Sequence, residues 1–366
     1  MNSLRAFILG SASGLLVALA GPVSGRAETS VTTAPAGFVA LPAPGHSDTV
    51  LSAPLARPTV YVDTVAAVSG GTVLLAGLPG WTTNQFVRGA DQPETFYLAF
   101  SSGAKAGQHF TITANAADTL TLDLAGDTLD EVREGDAVRI VPYWTFGTLF
   151  PNGAGVTATS SHGSRPTEIL LFNHAAVGTN LAPAATYYYF AGTNPGWRRV
   201  GGGLSTVRDH DIIPNDAFFI FRQNTGAAQR PVVIGSAPEA PIGTVVSTLA
   251  ANTAQDNFLA YAVPQPLSLS QLNLVQSGAF EGTASHGVRR DELYVFDNAV
   301  VAHNKSPSAT YYYFTGPNPG WRRVGGGLNT VRDDDIVVRP GSGFIVRKAA
   351  TTLPQSFSVS FTPTYH

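Results

Sequence analysis

The stretch that decides the fold occurs twice: residues 185–211 read ATYYYFAGTNPGWRRVGGGLSTVRDHD, and residues 309–335 read ATYYYFTGPNPGWRRVGGGLNTVRDDD. The copies lie 124 residues apart (Trp197 to Trp321) and only four of 27 positions differ, so they are a duplication. Alternate residues of a strand point to opposite faces, which makes residues 310–314 aromatic on both. A strand of that kind must be covered twice, and this predicts a sandwich. Asn318-Pro319-Gly320 supplies turn chemistry, because Pro presets φ and Gly accepts positive φ. Residues 321–324 then return as the partner strand, and Gly325-Gly326-Gly327 ends the hairpin.

Outward from this core the match weakens but continues. Ser161-His162-Gly163 pairs with Ser285-His286-Gly287, Glu168 with Glu292, and Phe219-Ile220-Phe221-Arg222 with Phe344-Ile345-Val346-Arg347. Between the opening apolar run at residues 49–54 and the rest of the first copy lies a block with its own rhythm. It has six apolar runs (59–65, 72–75, 95–100, 109–114, 119–124, 137–141) with turn residues every 8–12 positions, as in a small all-β domain. The expected fold class is therefore all-β: a small β domain plus two tandem β-sandwich-like modules. The expected boundaries are 1–27 for a signal peptide and 28–57 for an N-terminal segment with the first strand of module 1. The small β domain follows at 58–142 as an insertion, then 143–235 for the rest of module 1 and 236–366 for module 2. Within this scheme residues 50–54 should sit in the first module's sheet, equivalent to residues 259–264 of the second; residues 138–141 compete for that role, since Ile140-Val141-Pro142 also resembles Ala262-Val263-Pro264, and would give a linear domain order instead.

The closing PGSGFIVR, the aromatic strand before NPGWRRVG, and the upstream SGAKAGQHFTITAN together resemble an uncharacterised family of exported bacterial β-rich proteins with a duplicated YYYF…NPGWRRVGGG…GFIVR module. The resemblance covers nearly all of the chain after residue 27. It implies β architecture and export, and no activity.

Composition agrees with many short strands joined by turns. Gly 38 and Pro 25 are scattered as punctuation, the hydrophobic share is 44%, and 13% of residues are charged. A net charge of -3 leaves no electrostatic case for nucleic acid, which calls for a basic surface. Only Lys105, Lys305 and Lys348 are lysines. At the N-terminus Arg5 precedes an apolar run too short to span a bilayer, and Gly25-Arg26-Ala27 offers small residues where a signal peptidase reads. Cleavage after Ala27 is expected, with Ala18-Leu19-Ala20 as the alternative. The processed protein should then have no membrane span. The chain has no cysteine, so an exported form must be stabilised by burial alone.

Four groups of residues could carry chemistry. Asp209, Asp211, Asp333 and Asp335 are weak candidates for a hard cation, which favours several carboxylate oxygens, though no EF-hand spacing exists and Arg208 or Arg332 stands beside each pair. Ser161-His162 with Glu168, repeated as Ser285-His286 with Glu292, invites a hydrolase reading. A duplicated triad would be unusual, however, and no GxSxG elbow follows the N-terminal segment. Trp197-Arg198-Arg199 and Trp321-Arg322-Arg323 could stack on sugar rings if exposed, or cap the core if buried. The triple glycines lack the Lys-Ser/Thr of a phosphate loop. No catalytic residue, metal or cofactor is expected. The expected function is that of an exported non-catalytic structural or adhesive protein of the cell surface or extracellular matrix, partnered by itself or by envelope or matrix polysaccharide. The alternative is a carbohydrate-binding protein with two Trp-Arg hairpin sites. The periplasm is the third compartment that export allows.

Overall fold

The computed structural model describes residues 35–365; the expected signal segment lies outside them. The fold is all-β. The α-helix Phe146–Leu149 is a single turn: Thr145 Oγ1 accepts from the Thr148 amide and Thr148 Oγ1 accepts from the Thr145 amide in a capping box.

Residues 61–142 close into a six-stranded antiparallel barrel. Around it run Tyr61–Ser69, Thr72–Leu75, Thr119–Asp123, His109–Asn115, Phe96–Phe100 and Ala137–Pro142, the last returning to the first. A barrel this narrow has room inside only for side chains. Alternate residues fill it, with Val65, Val73, Leu75, Leu98, Phe100, Leu120 and Ile140 all buried. Closure leaves no open edge among these strands.

The two copies form two five-stranded sheets of the same order. The first runs Gly196–Arg199, Ala185–Phe190, Thr167–Leu171, Phe219–Gln223, Ser47–Leu51. The second runs Gly320–Arg323, Ala309–Phe314, Glu292–Val295, Gly343–Lys348, Gln255–Ala260. Ser47–Leu51, which precedes the barrel, thus hydrogen-bonds to Phe219–Gln223, which follows it. The register aligns the copies residue by residue: Leu51 faces Phe219 as Leu259 faces Phe344, so residues 50–54 correspond to 258–262 rather than to 259–264. A two-stranded ribbon accompanies each sheet, Ala36–Ala40 with Val232–Ser236 in the first and Ile242–Thr248 with Gln355–Phe361 in the second.

Each sheet is covered on both faces. On the inner face of the first, Leu51, Trp197, Phe219 and Phe221 pack with Val233 of the ribbon and with Phe146 and Phe150. The second repeats this with Leu259, Trp321, Phe344 and Val346 against Val246 and Val359. The outer faces meet each other in a shared cluster of Val50, Phe218, Phe258 and Ile345, with Phe172 lying parallel on Phe258 at 4.1 Å.

The two modules also cap each other's open sheet edges. Asp48 donates its amide to Ala302 O at 2.9 Å, and the Asn298 side chain pairs with both backbone groups of Val50. Reciprocally, the Asp256 amide reaches Gly178 O at 2.9 Å. This explains why Ser47–Leu51 and Gln255–Ala260, both edge strands, are buried along their whole length.

Candidate functional site

The hairpin reading of the sequence is overturned by burial. Trp197 is 1% exposed and Trp321 3%, so neither ring can stack on a sugar. Trp197 packs against Phe146 and Phe150, and Trp321 against Phe280, with ring centres 4.6–5.5 Å apart. Arg198 and Arg322 are 1% exposed. Arg322 donates to the carbonyls of Leu328 (2.8 Å), Trp321 (3.1 Å) and Asn318 (2.5 Å), and Arg198 makes the matching three bonds to Leu204, Trp197 and Asn194. Each guanidinium is therefore a strut that ties the glycine loop to the hairpin turn. Arg199 and Arg323 alone of the six remain exposed.

The aspartate clusters have the same kind of duty. Asp209 accepts the Trp197 amide and Asp333 the Trp321 amide, each at 2.7 Å, and not the neighbouring arginine side chains. Asp211 accepts from the Tyr187 hydroxyl at 2.9 Å and Asp335 from Tyr311 at 3.0 Å. Burial, reinforced by that carboxylate, pushes each of these tyrosines up to about 12. Among the described residues no group of three or more His, Asp or Glu is arranged to hold a metal. Gly196 and Gly320 make the arrangement possible. Their φ values are 146° and 148°, and an added Cβ would lie 2.9 Å from Val207 or Val331 and 3.1 Å from the aspartate.

The repeated Ser-His-Glu residues do not assemble. His162 Nδ1 meets the Tyr188 hydroxyl at 2.7 Å and its ring stacks on Phe190 at 4.0 Å; His286, Tyr312 and Phe314 repeat both contacts at the same distances. Glu168 pairs with Arg165 and Glu292 with Arg289. Ser285 Oγ accepts the Gly287 amide rather than facing the imidazole.

What the sequence did not disclose is a cleft of about 920 Å³ between the outer faces of the two sheets. At its two ends stand matching clasps. Arg222 grips Asp48 with Nε at 2.7 Å and Nη2 at 2.8 Å, and Nη2 also reaches Asn304 Oδ1 of the other module at 2.8 Å. Arg347 grips Asp256 at 2.7 and 2.8 Å and reaches back to Asn180 Oδ1 at 3.0 Å. The Asn304 and Asn180 amides close the circuits on Asp48 and Asp256, each at 2.7 Å. Both asparagines adopt positive φ (50° and 53°), which Asn tolerates better than most residues. Burial tends to raise the Asp48 carboxyl, but its bonds from Arg222, Asn304 and His303 outweigh that and hold it below the ordinary value. The partner aspartates push Arg222 and Arg347 up.

The lining is approximately two-fold symmetric, and departs from symmetry at informative places. Leu170 corresponds to Tyr294, Val50 to Phe258, and Leu181 to Lys305. A signal for the clasps existed in the repeat, since Arg222 and Arg347 close its last strand and Asn180 and Asn304 keep the 124-residue spacing. No protein-family model matches the chain, and no curated protein matches it. Among the described residues no helix is long and apolar enough to cross a membrane.

Proposed function

We propose that the chain is an exported, non-catalytic structural or adhesive protein of the cell surface or extracellular matrix. The observation that carries this reading is the use made of the repeated polar residues. His162, Asp209, Asp211, Arg198 and their counterparts in the second copy each spend their hydrogen bonds inside their own module, on backbone groups or on tyrosine hydroxyls. Reactive groups of an enzyme must instead point at a substrate position. The reciprocal clasps then join the two braced modules face to face, which suits a part that bears load or presents a surface.

The surface offered for contact is the two-stranded ribbon Ala36–Ala40 with Val232–Ser236. Phe38 and Ile234 are direct cross-strand neighbours, 74% and 71% exposed, with exposed Val232 alongside. Exposed apolar residues grouped in this way mark interaction surfaces, and self-association is the partner proposed. The experiment is fractionation of the native host combined with imaging of the protein's assembly state. Recovery from the surface or matrix in assembled form is the expected outcome. A monomer confined to the cytoplasm would refute both export and assembly.

A further inference from the structure

We propose that the cleft between the two modules binds a single-chain amphiphile carrying one carboxylate, with the head at Lys305 and the apolar body lying toward Leu181. The volume is at the large end of ligand pockets, which span roughly 300–1,000 Å³. Its walls mix polar and apolar groups, and between the clasps Phe172, Phe296, Ile220 and Ile345 present hydrocarbon from both sheets. That accounts for the body of the ligand.

The head follows from charge. Three cations line the cleft: Arg222, Arg347 and Lys305. Both arginines are neutralised by bidentate pairing with an aspartate, and those aspartates already accept an asparagine amide besides. Neither guanidinium therefore lacks a countercharge. Lys305 differs. Of the three lysines in the chain, Lys105 is paired with Asp127 and Lys348 with Asp291, whereas among the described residues the one hydrogen bond from Lys305 Nζ goes to the carbonyl of Asp297 at 3.3 Å. An ammonium has three donors, so two remain for a ligand. Burial pushes this lysine down although Asp297 and Asp48 lie near enough to pull the other way, and neither forms an ion pair with it among the described residues. A carboxylate placed there would supply the direct ion-pair partner.

The break in symmetry gives the ligand a direction. The position equivalent to Lys305 in the first copy is Leu181, so beside the two matching, internally neutralised clasps one end of the cleft carries an added ammonium and the other a leucine. A symmetric dicarboxylate would leave its second head against Leu181. A monocarboxylate with a hydrocarbon tail matches both ends. This inference is independent of the self-associating ribbon, which lies on the opposite side of the first sheet's inner core.

The test is calorimetric titration of the full chain with dodecanoate, dodecanol and dodecyltrimethylammonium, which share a tail and differ in the head. Dodecanoate is expected to bind about tenfold or more tightly than dodecanol, the scale of one charge-assisted hydrogen bond. The trimethylammonium compound should bind weakest. Lys305→Met should bring dodecanoate down to the alcohol's affinity while leaving the alcohol unchanged. Leu181→Trp, at the tail end, should weaken dodecanoate but spare hexanoate, and it keeps the question open to refutation should the lysine variant fold poorly. Equal binding of carboxylate and alcohol, indifference to both substitutions, or no binding of any probe would each overturn the proposal.

Discussion

Replacing Arg322 by Met removes a buried strut while keeping a side chain of similar length. Of its three carbonyl partners, Trp321 O also accepts the Arg332 amide at 2.9 Å and so keeps a donor. The carbonyls of Leu328 and Asn318 have no second donor among the described hydrogen bonds. Hydrogen bonds to a charged group contribute ~1.5–3 kcal/mol each, and the lower figure applies here because water can reach both partly buried carbonyls. Two such bonds come to about 3 kcal/mol, and loss of the guanidinium from the Phe314 ring face, 5.5 Å away, adds ~0.5 kcal/mol. Urea unfolding followed by circular dichroism should therefore show module 2 destabilised by about 3–4 kcal/mol. Arg198→Met, whose bonds are the same, should cost module 1 about as much. A loss below ~1 kcal/mol in both variants would refute the view that these guanidinium groups hold the glycine loops in place.

Gly320→Ala should destabilise by at least ~2 kcal/mol, because it combines a φ of 148° with a Cβ placed 2.9 Å from Val331; a shifted urea midpoint at unchanged slope measures it. The Asp48 clasp makes stability depend on acid. The carboxyl lies lower in the folded chain than its unfolded value of ~3.9, so its stabilisation is complete above that pH and is lost as pH falls below it. Asp48→Asn should flatten the stability profile below about pH 4, and an unchanged profile would show that the clasp contributes nothing. Phe38→Ser with Ile234→Ser should reduce self-association in sedimentation experiments while changing stability by under ~0.5 kcal/mol, since both side chains are exposed.

The duplication, the strand rhythm and the turn at Asn318-Pro319-Gly320 were legible because they are local. All six apolar runs between residues 59 and 141 became strands. Their closure into a barrel was not legible, because strand runs in sequence look alike whether the sheet they enter is open or closed. The same limit applied to Trp197 and Trp321. Their spacing placed them on a strand, but which face a neighbour covers depends on Phe146, Phe150 and Phe280, which lie well outside the hairpin. Arg208 beside Asp209 in sequence suggested a neutralising pair; the hairpin instead turns the Trp197 amide toward Asp209 at 2.7 Å. Least legible of all was the cleft, because its clasps join Asp48 to Arg222 and Asn304, partners that only the assembled pair of modules brings together.

The position of the barrel bears on the order in which the chain folds. Ser47–Leu51 cannot complete the first sheet until Phe219–Gln223 arrives from about 170 residues further on, a closure of high contact order and therefore slow. The barrel's widest pairing, Tyr61 with Ile140, spans less than half that distance, and it brings the Val60 amide to Ile140 O at 2.9 Å. Once the barrel has formed, the effective loop shrinks to roughly half its length. That halving lowers the entropy of closure by only ~0.6 kcal/mol, too little to matter for the stability of the sheet. Its weight is kinetic: were the barrel to form first, residues 60 and 140 would stand beside each other, and the Ser47–Leu51 to Phe219–Gln223 pairing would become a search over a short span instead of a long one.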